Sequence, residues 1–219
     1  MRVPIRTKRG LSRLTVAVMP RCAPGNPSNA AISELSDPAL EPGGRQNKEL
    51  ERSGEARPLP LVRGTLRAGA VVLPCALGRA GIRHAKREGD HATPAGKFRL
   101  LGGYYRPDRV TRQAWPLQLS RMKPSDGWCD DPASACYNRA VRLPFGAGRE
   151  ILWRCDRIYD LVVVLDYNIR PRRKSCGSAI FLHCARPDFA PTEGCIALAF
   201  DDFRRLLPRL SRNTGLIIR

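Results

Sequence analysis

Seven residues, Tyr159-Asp160-Leu161-Val162-Val163-Val164-Leu165, constrain the fold of this chain more than any others. The run is β-branched and nearly continuous in apolar character, so it reads as a central strand buried on both faces. Such a strand needs a neighbour on each edge. Short strand candidates at residues 61–65, 70–73, 97–101, 177–183 and 215–218 supply them, with a turn expected at Gly102-Gly103. One helix is also legible. Phe203, Leu206, Leu207 and Leu210 recur at i, i+3, i+4 and i+7 with arginines opposite, and Asp201 or Asp202 stands where it can cap the first turn. Many short strands with one late helix predict a β-rich α+β domain, a mixed β-sandwich rather than a doubly wound sheet.

None of the six Phe, three Trp and five Tyr lies in the first 60 residues, a stretch that carries eight Pro and five Gly. A segment without aromatics and broken by proline buries too little apolar area to offset the entropy of ordering it. Residues 1–56 therefore read as a flexible, disordered N-terminal tail, and 57–219 as the folded domain. The tail begins with a basic stretch to Arg9 and a weakly apolar one from Leu11 to Met19, interrupted by Arg13. That pattern leaves two readings of the stretch, a flexible tail or an atypical targeting segment with a weak export signal.

Lys and Arg number 38 against 20 Asp and Glu, a net charge of +18 that attracts nucleic acid, anionic lipid or anionic wall polymer. No zinc-finger, helix-turn-helix or RNP-type pattern accompanies the charge, so no dedicated nucleic-acid site is expected. No apolar run is long enough for a transmembrane segment. The eight Cys include no C-x-x-C pair, which disfavours zinc ribbons and thioredoxin-type chemistry. Composition leaves a non-catalytic basic binding protein, for cell wall or nucleic acid, as the alternative to an enzyme.

The stretch with the most chemistry is Ile180 to Leu198, IFLHCARPDFAPTEGCIAL. A strand delivers His183 to its end, a polar loop follows, and Gly194-Cys195 opens a new apolar run. A thiol nucleophile needs a base nearby, and a glycine before it lets the backbone turn so that the amides around Gly194 can meet an oxyanion. The structural alternative is a core cysteine and a satisfied strand-end histidine. A metal site from His183, Cys184 and Cys195 is disfavoured, because adjacent strand residues point to opposite faces. Trp128 with Asp130, Asp131, Tyr137 and Asn138 makes an aromatic and acidic group suited to a substrate groove, and a buried Trp beside a polar turn fits the same residues equally well. His84 and His91 fall in a basic segment expected at the surface.

Thr192-Glu193-Gly194-Cys195-Ile196-Ala197 resembles the catalytic motif of the L,D-transpeptidases, the YkuD-type domains that cross-link bacterial peptidoglycan. The usual form is [Ser/Thr]-His-Gly-Cys, then an apolar residue and often Arg; this chain departs from it at Glu193 and Ala197. A branch with P-T-x-G-C-x-A-L preceded by G-x-A-I-F-L-H is similar to residues 177–198. Residues 87–98 resemble the family's K-x-G-D-x-x-T-P-x-G-x-F segment, and Gly127 to Pro132 with Tyr137-Asn138-Arg139 resemble the branch's connecting region. The resemblance covers about residues 60–219. It implies a sandwich of the L,D-transpeptidase type, Cys195 as nucleophile, and His183 as general base and acid. It also implies an oxyanion site at the Gly194 N–H, substrate contacts at Thr192, Trp128, Asp130 and Tyr137, and an orienting group for His183 near Thr192. The implied partner is a peptidoglycan stem peptide, with no metal and no organic cofactor, in the periplasm or cell envelope. Export would allow Cys129 and Cys136 to pair.

Overall fold

The computed structural model describes residues 10–18 and 63–219, and alternation of apolar and polar positions explains much of what they form. In β1 (Arg13–Val18), Leu14 and Val16 are fully buried while the residues between and around them are not. β2 (Arg63–Ala68) and β3 (Val71–Ala76) make an antiparallel hairpin that turns through Gly69 at φ +68°. β4 (Ile82–Arg83) and β5 (Thr93–Pro94) are a short parallel pair, β6 (Gly96–Tyr105) is the longest strand, and β7 (Leu119–Arg121) runs parallel to it. β8 (Asp126–Cys129), β9 (Arg139–Arg142) and β10 (Arg149–Ile151) form a separate sheet in the order β10-β8-β9. The chain continues through β11 (Leu161–Leu165), β12 (Phe181–Cys184) and β13 (Ile196–Leu198). Helix α1 (Phe200–Leu206), a 3-10 turn at Leu207–Arg209 and β14 (Gly215–Ile218) complete it.

The main sheet has the order β11-β12-β13-β3-β2-β1-β14-β6-β7, and β11 pairs with β6 as well as with β12. The sheet therefore closes on itself. The sequence points to a sandwich; the pairing gives one mixed, barrel-like sheet with a small sheet beside it, β-rich with one short helix. Closure from β11 round to β6 leaves β7, paired only with β6, as the outer strand of this sheet.

β11 is buried at every position, as its composition requires. Leu161, Val163 and Leu165 enter the barrel core with Leu14, Val16 and the helix residues Phe203 and Leu206. Val162 and Val164 face a second cluster with Trp128, Tyr159, Phe181 and Cys195. β12 divides the same way, Leu182 and Cys184 inward to the first cluster and Phe181 to the second. A histidine two residues after Phe181 thus falls on the second face, where the site lies.

Three expectations need correction. Arg13–Val18, inside the stretch read as a tail, is a strand between β14 and β2, pairing parallel with the first and antiparallel with the second. The rest of the expected tail and targeting segment, and the boundary at 57, lie outside the described residues. Gly102-Gly103 is not a turn, since β6 runs through both. Gly102 takes φ +116°, and a Cβ on Gly103 would collide with the Val162 carbonyl of the paired strand, so both positions require glycine. Helix α1 starts at an Ala199 N-cap without a side-chain cap bond; Asp201 and Asp202 sit in its first turn, toward the positive end of the helix dipole. The seven described cysteines are all free thiols, Cys129 and Cys136 among them. Among the described residues no helix is long and apolar enough to cross a membrane.

Candidate active site

The parallel register of β12 and β13 sets Leu182 beside Ile196 and His183 beside Ala197. One step back, Phe181 lies beside Cys195, and its amide donates to the Cys195 sulfur at 3.3 Å. Phe181 and His183 share a face, so Cys195 and His183 are diagonal neighbours on it. Both line a single cavity of about 320 Å³. The sequence brought these two residues together through an eleven-residue loop; the parallel pairing of the strands at either end of that loop is the physical reason they meet.

Hydrogen bonding fixes each of them. The Cys195 thiol donates to the Ala179 carbonyl at 3.1 Å, so at rest it points along the wall and not at the imidazole. His183 Nδ1 lies 2.9 Å from the Cys184 carbonyl. A carbonyl only accepts, so the proton sits on Nδ1 and the lone pair on Nε2. The Tyr159 ring meets the imidazole edge-on at 5.3 Å and in turn donates its hydroxyl to Glu150 at 3.3 Å. The orienting group of His183 is therefore the Cys184 carbonyl with the Tyr159 ring. Thr192 does something else. Its hydroxyl donates to the Cys195 carbonyl at 2.7 Å and accepts the Gly194 amide at 3.2 Å, which shapes the turn that carries the thiol. The Gly194 N–H expected at an oxyanion site is thus already engaged, whereas the Cys195 N–H has no acceptor among the described residues.

The turn is held from behind. Thr192 donates its amide to Leu77 and accepts from Arg79, bridging the loop to the end of β3. Gly194 adopts φ +137°, and a Cβ there would stand 2.7 Å from the Ala92 carbonyl and 3.3 Å from Lys86 Nζ. Only glycine fits. Glu193, where the resemblance expects histidine, pairs with Arg79 and His91.

Burial sets the charge state of the pair. It pushes the Cys195 thiol up to about 12, with the Phe181 amide opposing. Burial lowers His183 to about 4, against the Cys184 carbonyl bond that favours the charged ring. Thiol and imidazole are both neutral at rest. Cys184 turns the other way, its sulfur toward the Leu161 carbonyl at 3.9 Å, so the two neighbours on β12 do not share a ligand face.

Carboxylates outnumber guanidinium groups along the cavity: Glu88, Asp130, Glu150 and Glu193 line it together with Arg154 and Arg186. Burial raises Glu150 and the nearby Asp130 charge adds to it; burial likewise raises Asp130, helped by Glu88 and Asp131. Of the residues singled out from sequence, Cys195, His183, Thr192 and Asp130 line the cavity. Trp128 and Tyr137 stand behind its wall. The indole N–H of Trp128 donates to Asn138 Oδ1 at 2.9 Å and its ring packs edge-on against Phe181; the buried Tyr137 donates to Glu88. Sequence reasoning missed Glu88, Glu150 and Tyr159. Glu88 lay inside the 87–98 segment and was open to notice; the other two carry no local signal.

The sequence model of the YkuD family, the L,D-transpeptidase catalytic domain, matches residues 62–218. Neither the curated proteins nor the solved structures include a match to the chain.

Proposed function

Because the chain belongs to the L,D-transpeptidase catalytic-domain family, we propose that it is a cysteine-dependent L,D-transpeptidase acting on peptidoglycan stem peptides. The convergence of Cys195 and His183 on one cavity carries this reading. The mixed wall of carboxylates and guanidinium groups supports it further, since a stem-peptide diamino acid brings both an amine and a carboxylate.

The chemistry needs only groups of this chain. The Cys195 thiol swings from Ala179 and attacks the carbonyl of the diamino acid that precedes the terminal D-alanine. Its proton passes to Nε2 of His183 as the carbon–sulfur bond forms, because neither partner is charged beforehand. The oxyanion of the tetrahedral intermediate is met by the Cys195 N–H. Collapse breaks the carbon–nitrogen bond, His183 protonates the departing D-alanine amine, and a thioester remains. The side-chain amine of a second stem peptide then attacks the thioester and gives its proton to His183. The carbon–sulfur bond breaks, the thiol is restored and an amide cross-link forms. Such a substrate lies outside the cytoplasmic membrane, so the activity belongs to the periplasm or cell envelope, where a charge of +18 holds the protein near an anionic wall.

A non-catalytic basic binder explains the surface charge but not the cavity, whose carboxylates repel a polyanion. The test is D-alanine release and dimer formation from a tetrapeptide stem, measured for the protein, Cys195→Ser and His183→Ala. Loss of release in the serine variant and a drop of roughly 10²- to 10⁴-fold in the histidine variant are expected. A folded protein that releases no more D-alanine than Cys195→Ser would overturn the assignment.

A further inference from the structure

The proposed mechanism leaves unused a buried charge that abuts the turn carrying the thiol. Lys86 lies beneath the catalytic turn with its side chain 2% exposed. Its stem fills a slot that only glycine leaves open, since a Cβ on Gly177 would stand 2.8 Å from Lys86 Cε. At the end of the slot, Nζ lies 3.3 Å from the place a Cβ would occupy on Gly194, the residue before the thiol. A buried ammonium must be paired, and Asp90 pairs it at 2.7 Å from Oδ1. Asp90 is itself fixed by the Arg87 amide at 2.8 Å and the Ala92 amide at 2.9 Å. Burial alone would raise the Asp90 carboxyl, but the Lys86 hydrogen bond and the two amides hold it below its usual range. Asp90 therefore keeps its negative charge beside Lys86, and Nζ is the end of the pair that abuts Gly194.

We infer that Lys86 is a positioning residue of the site: its ammonium, clamped against Gly194 by Asp90, supplies the fixed positive field that favours charge on the Cys195 sulfur. The claim rests on the reading of Cys195 as nucleophile and extends it. The sulfur shares the cavity with Glu150 from β10, Tyr159 before β11 and His183 from β12, and with Glu88, Asp130, Glu193, Arg154 and Arg186. Glu150 opposes a thiolate. Lys86 opposes Glu150, and Asp90 limits how strongly it does so. A low-dielectric position makes this single charge count for more than the many arginines on the surface.

Two variants of opposite sign test the inference. Lys86→Met keeps the stem in its slot and removes the charge; Asp90→Asn keeps the ammonium and removes its counter-charge. The readout is the rate of iodoacetamide modification of Cys195, mapped by peptide mass spectrometry and followed from neutral to mildly alkaline pH. Lys86→Met is expected to slow modification about tenfold at each pH, one unit in the thiol equilibrium, and Asp90→Asn to speed it severalfold. A merely structural ion pair would loosen the turn in both variants and move both rates the same way, which would overturn the inference, as would two rates equal to the unaltered protein's. If Lys86→Met does not fold, Lys86→Gln takes its place with the same expected sign. No substrate is involved, so a protein that modifies as expected but releases no D-alanine would sink the transpeptidase reading and leave the role of Lys86 standing.

Discussion

Thr192 and Cys195 are joined by a hydrogen bond of 2.7 Å from the threonine hydroxyl to the cysteine carbonyl, while the same oxygen accepts the Gly194 amide at 3.2 Å. One hydroxyl thus closes the turn on both sides of the glycine. Thr192→Val keeps the shape and removes both bonds, leaving a carbonyl and an amide without partners. It should cost about 1–3 kcal/mol of stability and slow acylation about tenfold or more through misplacement of the thiol. Thr192→Ser should recover most of both. Thermal melting and the rate of thioester formation check the prediction.

Asn138 is the joint between the small sheet and the site. Its Oδ1 accepts from Trp128 Nε1 and from the Ala179 amide at 3.1 Å, and its Nδ2 donates to the Tyr167 and Asn168 carbonyls. Its φ of +55° also suits asparagine better than most residues. Asn138→Ala should destabilise the protein by about 3 kcal/mol or more, because several buried groups lose partners together. Urea titration gives the number, and a cost under about 1 kcal/mol would contradict a fully formed network.

His183 makes stability depend on pH. Its folded value of about 4 lies below the ordinary 6.5, so the unfolded chain binds the proton more tightly. Its contribution is complete above pH 6.5 and is lost as pH falls from 6.5 toward 4, a difference of roughly 3 kcal/mol. Asp130 and Glu150 act with the opposite sign at the acid end, since burial raises both. The His183 contribution is therefore read as the difference between the protein and His183→Gln. That difference should narrow through the window and flatten below it.

Leu14 reports on β1. It is fully buried between strands that lie far apart in the chain, paired with Leu216 on β14. Leu14→Ala should cost about 2–5 kcal/mol, as for any core leucine. In a flexible tail the same substitution would cost nothing measurable.

That strand shows where sequence reading stops. RLTVAV alternates correctly, yet it lies in a stretch rich in proline and poor in aromatics, and its partners begin at Arg63 and Gly215. Nothing local distinguishes a lone strand that is completed from far away. β11 was legible because burial on both faces leaves its mark in consecutive residues. The turn expected at Gly102-Gly103 failed for the reverse reason: two glycines signal a backbone constraint, and here the constraints are the close approach of β11 at Gly103 and, at Gly102, a positive φ beside the Gln118 carbonyl. At the site, His183 and Cys195 were legible because the motif and its loop are nearly contiguous. Glu150, Tyr159 and Lys86 come from three separate segments that only the folded chain brings to one place, and the bond from Trp128 to Asn138 explains why a residue expected in the groove supports it from behind.

The central claim is that Cys195 is the acylated residue, and intact-mass spectrometry after exposure to a carbapenem tests it most directly. The account predicts one covalent adduct, mapped by peptide digestion to Cys195, absent in Cys195→Ser and strongly slowed in His183→Ala. A folded sample with no adduct, or an adduct on any of the other cysteines alone, would contradict it.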